Sequence, residues 1–150
     1  MAKLMKKSTR IWLAATIRQW ILDIDRTERL PENVVALIFA ITLDVGDDNY
    51  GISLEGATTF EPEDHDWNLD YCNYGSPPEY AFSPVLCYCR LRFRETYHWK
   101  IRVAMRYELK AVATDTIREL LEERPDLPLF QVKHIAIGTI DCDDITTVFA

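Results

Sequence analysis

Four carboxylates crowd into six positions at Glu61-x-Glu63-Asp64-x-Asp66. Carboxylate oxygens are the ligands that hard divalent cations prefer. A second set, Asp141, Asp143 and Asp144, lies near the end of the chain. If folding joined the two sets, Asp64, Asp66 and the terminal aspartates could support metal-assisted hydrolysis. The spacing does not favour this: the glycine and the closing glutamate of an EF-hand loop are both missing. Solvated turn acids are the commoner use of such residues. No metal and no cofactor are therefore expected.

The nucleophile candidates are no more specific. Cys87 and Cys89 are separated by one residue, where zinc ligands are usually separated by two to four. Cys72, Cys87, Cys89 and Cys142 thus read as structural thiols. His65, His98 and His134 stand at no recognised catalytic spacing from a serine or cysteine. A pair made by folding, such as Cys72 with His65, stays open. No catalytic residue is assigned, and the chain is read as a non-enzyme.

The charge pattern is more informative. From 30 to 89 there is no lysine or arginine, and eleven carboxylates. Basic residues outnumber acidic ones from 1 to 29 and from 90 to 133, and the formal net charge is −7. A block of one sign makes a local field that steers a basic partner and repels nucleic acid. Arg90, Arg92, Arg94, Lys100, Arg102 and Arg106 form the one positive cluster. Against the overall acidity it reads as a segment that docks near the acidic block, not as a phosphate-binding surface.

The elements that position these residues follow from periodicity. Residues 8–26 place Leu13, Ile17, Trp20, Ile21 and Ile24 on one helical face, with Ser8 or Thr9 as cap. Trp12 and Trp20 read as core anchors. Residues 34–43 are nearly all apolar, which suits a strand covered on both faces. Turn chemistry at 46–49 leads to a second strand in which Tyr50, Ile52 and Leu54 alternate with an exposed row of Gly51, Ser53 and Glu55.

Residues 60–84 read as a long loop that is rich in proline yet carries Trp67, Tyr71 and Tyr74. Residues 85–93 fit both periods, and the reading leans to helix because 99–123 is helical. In that helix Ile101, Met105, Val112 and Leu120 are the apolar stripe, and Glu108, Lys110, Arg118 and Glu122 are the solvent candidates. Strands at 132–140 and 145–149 close the chain around the turn 141–144. The expected architecture is α+β: an antiparallel sheet of about four or five strands with helices packed on one face, in a single domain over 1–150. No run is long and apolar enough to span a membrane. The basic start reads as part of a mature helix and not as a leader, so a cytoplasmic location is expected.

Two stretches carry a family resemblance: Phe60-Glu-Pro-Glu-Asp-His-Asp-Trp-Asn68, and Ile135-Ala-Ile-Gly-Thr-Ile-Asp-Cys-Asp-Asp144. Together they resemble a pattern in small cytosolic bacterial immunity-type proteins of polymorphic toxin systems. Those proteins follow a strand with an acidic Asp-x-Asp-Trp loop, a helix, and a closing strand with an acidic turn. Where the family's turn has glycine between the acids, this chain has Cys142. The resemblance implies a protein that neutralises a cognate, basic toxin domain, with a nuclease as the expected kind. The expected contact surface is Glu61, Glu63, Asp64, Asp66, Trp67, Asp70, Tyr71 and Tyr74, with Asp141, Asp143 and Asp144. A metal-dependent hydrolase and a generic protein-interaction module are the alternatives.

Overall fold

A computed structural model describes residues 4–43, 48–58, 80–82, 84–94, 98–139 and 145–149. Helix α1 spans Lys7–Thr27 and buries Leu13, Ile17, Trp20, Ile21 and Ile24, the face expected from the period. Its start differs from expectation. Lys6 is the N-cap residue, it makes no side-chain cap bond, and Ser8 and Thr9 lie inside the helix. The carboxylate just ahead of it comes from another element: Glu108 accepts from the backbone N–H of Leu4 and, at 2.9 Å, from that of Met5. A negative group there also suits the positive end of the helix dipole. Trp12 is 45% exposed and is not a core anchor, whereas Trp20 is buried.

Strand β1 (Ala36–Leu43) pairs antiparallel with β2 (Asn49–Ala57), from Ala36 opposite Ala57 to Leu43 opposite Tyr50. Asp48, at the mouth of this hairpin, has φ 58°, a left-handed angle that aspartate tolerates. The second edge of β2 is shared by two strands. Strand β4 (Tyr88–Arg94) pairs along Asn49–Ser53, and β3 (Tyr80–Phe82) pairs at Gly56 and Ala57. Residues 80–82 are therefore strand and not loop, and the leaning to helix at 85–93 is corrected to a turn at 85–86 followed by strand from Tyr88. Cys89 and Leu91 point into the core, which the edge of β2 makes available to an alternating run. Two extra residues, Leu91 and Arg92, bulge opposite the step from Tyr50 to Gly51, and Arg92 takes φ 52° there.

Helix α2 (Trp99–Glu123) follows, then a 3-10 turn at Pro128–Phe130, strand β5 (His134–Gly138) and strand β6 (Ile145–Phe149). Strand β5 lies parallel to β1, with Ala36 opposite His134 and Ala40 opposite Gly138, and β6 pairs antiparallel with β5. The class is α+β as expected, and the sheet is mixed: mostly antiparallel, with one parallel pair. Among the described residues its six strands fill five positions, in the order (β3, β4)-β2-β1-β5-β6.

The two described α-helices pack on one sheet face, where Leu37, Phe39, Ile41, Ile52, Leu54, Ile135 and Ile137 meet the apolar faces of α1 and α2. The helices run side by side in the same direction, since Met5 lies at Glu108 and Arg18 pairs with Glu123 at 2.7 Å. Residues buried in α2 begin only at Leu109. Its first turns therefore project past α1, and Trp99, Ile101, Val103 and Tyr107 are exposed. Lys110, expected at the surface, is 5% exposed, and Glu108 is occupied at the start of α1. Among the described residues no helix is long and apolar enough to cross a membrane.

Candidate functional site

Every residue expected at the contact surface lies outside the described residues: Glu61, Glu63, Asp64, Asp66, Trp67, Asp70, Tyr71, Tyr74, Asp141, Asp143 and Asp144. Cys72, Cys142 and His65 do too. The described strands fix where the chain leaves for these segments and where it returns. Strand β2 ends at Ala57 and β3 begins at Tyr80, and these two residues are register partners. The connection 58–79, twenty-two residues, thus starts and ends side by side on the sheet. A paired hairpin is usually closed by two to five residues. Adjacent anchors on a rigid sheet present what they carry from one place.

The terminal aspartates are entered from elsewhere. The chain leaves β5 and returns in β6 at the sheet end where it also passes from β1 to β2. The 58–79 connection is anchored at the opposite end, in the row of Ala36 and Ala57. Gly138 lies in the row of Ala40, two strand positions across from β2. At about 3.3 Å per residue and 4.8 Å per strand, the anchors are roughly 15 Å apart.

The sheet face opposite the helices is also buried, although Gly51, Ser53 and Glu55 were expected to face solvent. Ala36, Ile38, Ala57 and Ala136 form a small cluster there, with Val35 packed against it. Glu55, cross-strand from Ile38, is only 8% exposed. Gly51 on the same face has the Tyr88 ring across it: a Cβ added there would lie 2.2 Å from the Tyr88 hydroxyl. The signal missed in the sequence was indirect. A β1 covered on both faces implies that its neighbour β2 is covered on both faces as well.

This second face holds a carboxylate and an imidazole, Glu55 and His134. Glu55 lies opposite Ile38 on one side of β1, and His134 opposite Ala36 on the other. Two strand spacings and two residues of offset put their Cα atoms roughly 12 Å apart, too far for a directly bonded acid–base pair. Thr42 Oγ1, on the same face, is buried without a hydrogen bond among the described residues. Among the described residues no group of three histidine, cysteine, aspartate or glutamate side chains is placed to hold a metal ion.

Among the described residues the buried thiol is Cys89, on the helix side of the sheet. Burial pushes its pKa from 9.0 to about 11, so the nucleophilic thiolate is scarce at neutral pH. Cys87, two residues earlier, is half-buried. Iodoacetamide at pH 8 is expected to label Cys87 well before Cys89, as read by peptide mass spectrometry. Raising the pH through 9 toward 11 should lower stability at this residue. The unfolded thiol ionises first and the folded one keeps its proton, so the unfolded state is favoured across that window. Labelling of Cys89 as fast as Cys87 would show that the β2–β4 pairing opens readily.

Compared with protein-family models, with curated proteins and with solved structures, the chain matches none.

Proposed function

We propose that this protein is an immunity-type protein that binds a cognate basic toxin domain and blocks it. One observation carries the reading. Two strands that a short turn could join are joined instead by residues 58–79, which hold Glu61, Glu63, Asp64, Asp66, Asp70 and Glu79, three aromatics of the expected surface, and no lysine or arginine. A segment that acidic, held at adjacent anchors, suits a cleft built to hold a polyanion. Its carboxylates supply steering, and Trp67, Tyr71 and Tyr74 supply buried contact. Asp141, Asp143 and Asp144, entered from the far end of the sheet, contribute to the long-range field.

The test uses a toxin domain encoded beside this gene, purified with and without this protein. Steering charges act on association rate and are screened over about 8 Å at physiological salt. Asp64→Asn with Asp66→Asn is expected to slow association several-fold and to flatten its salt dependence, with an unchanged melting temperature. Trp67→Ala is expected to speed dissociation at least tenfold, the scale of an interface anchor. Two outcomes overturn the proposal. One is full protection by the double asparagine variant at every salt concentration. The other is magnesium-dependent hydrolysis by this protein alone that Asp64→Asn abolishes.

A further inference from the structure

Strand β6 ends the sheet on the side away from β3 and β4. Between this strand and α2 lie two adjoining hollows that share Arg118 as a common wall. The larger, of about 540 Å³, is mainly apolar, with Leu121, Phe130, Val132 and Val148 in its lining and Pro125 at its far end. Pockets for small molecules usually measure about 300–1,000 Å³, with apolar walls and a few polar groups. The smaller, of about 280 Å³, is polar: Tyr107, Lys110, Asp115 and Thr146 line it together with Arg118. The edge of β6 itself is poorly suited to a further strand. Val148 is the extra residue between Thr147 and Phe149, which pair with Ala136 and Ile135, and such a bulge turns an edge away from straight pairing. Val148 packs instead against the core on the helix side, where it walls the larger hollow.

We propose that this groove binds an unbranched medium-chain fatty acid, with its carboxylate in the polar hollow and its chain in the apolar one. The site is independent of the acidic segment assigned to a toxin partner. Charge decides the head group. The polar hollow has two cations in its lining, Lys110 and Arg118, against one carboxylate, Asp115. Lys110 is 5% exposed, so its charge is little screened, whereas Asp115 stands in water. Arg118 is exposed and makes no ion pair among the described residues. It stands where the hollows meet, and its guanidinium can hold a carboxylate by two parallel hydrogen bonds. A cationic head would meet Lys110 and Arg118 together. Shape decides the tail. The larger hollow follows α2 from Arg118 to Pro125, roughly 10 Å at the helical rise, which is the reach of a chain of about eight to ten carbons. Glu122 lines this hollow from the exposed side of the helix, beside the chain rather than the head.

Isothermal titration of the full chain with sodium decanoate is expected to show one site, with a Kd on the order of tens to hundreds of micromolar. Decanol, which lacks the charge, and decyltrimethylammonium, which inverts it, should bind at least about fivefold more weakly. Arg118→Gln is expected to weaken decanoate about fivefold to tenfold and to leave decanol unchanged. Glu122→Gln removes a like charge near the bound anion and should strengthen decanoate about twofold. Both side chains are exposed, so circular dichroism should report an unchanged fold. Absence of binding at about 1 mM decanoate overturns the proposal. So does equal binding of the three amphiphiles, which is adsorption to an apolar surface, or a decanoate affinity indifferent to Arg118→Gln. A concentration-dependent dimer that Val148→Lys dissociates and decanoate does not would give the groove to a second copy, and it overturns the proposal as well.

Discussion

Ile38→Asp is expected to leave no cooperatively folded protein at neutral pH. Ile38 is fully buried in β1, a strand with a neighbour on each side. An ionised carboxylate placed there loses its water and enters a cluster that, among the described residues, is made of Ala36, Ala57 and Ala136 with Val35 and offers it no cation. Its cross-strand partner is Glu55, itself 8% exposed. Directly opposed side chains have Cβ atoms about 5 Å apart, so the substitution sets two carboxylates against each other in a dry site. The cost is several kcal/mol, against a total stability of about 5–15 kcal/mol for a domain of ordinary size. Ile38→Val, which only trims a methyl group, should cost about 1 kcal/mol. Urea denaturation followed by far-UV circular dichroism separates the two. A wild-type midpoint for Ile38→Asp would mean that the second sheet face is wet, and that β1 is not the buried centre of the sheet.

Trp20→Ala should be the most damaging truncation in α1, at about 3–5 kcal/mol. The Trp20 ring meets Phe39 edge-on, with centroids 6.0 Å apart and planes at 78°. Its indole N–H donates to the Leu86 carbonyl at 2.6 Å. One side chain thus ties the helix both to β1 and to the stretch between β3 and β4. Glu28 adds a second tie there by accepting from the Val85 N–H at 2.7 Å. Trp20→Phe keeps most of the packing and loses the hydrogen bond, so it should cost about 1 kcal/mol. The phenylalanine variant should also label faster at Cys87, because the carbonyl of the preceding residue has lost its anchor. Equal stability of the alanine and phenylalanine variants would place the ring's contribution in the hydrogen bond alone.

Helix α1 was legible because its information is local. Five apolar residues recur at the helical period, and all five are buried. The same holds for β1, where a run apolar but for Thr42 has little alternative to a strand buried on both faces. Strand β4 was not legible. Its short run matches a helical and an alternating period alike, and the choice rests on whether an edge such as that of β2 is on offer. The carboxylates and aromatics of 58–79 could be read as a segment of one charge from the sequence, while the adjacency of its two anchors could not.

The sequence by itself determined the class of the fold, the core faces of α1 and β1, and the sorting of charge along the chain. The tertiary structure alone decided the parallel register of β5 on β1, because those strands lie about a hundred residues apart and non-local pairing leaves no periodic mark. It alone decided that Glu55 and Lys110 are buried and Trp12 exposed, because burial depends on what packs across from a side chain. It also set the strand ends from which the two acidic segments leave at opposite ends of the sheet, since strand direction is fixed by partners that the local sequence does not name.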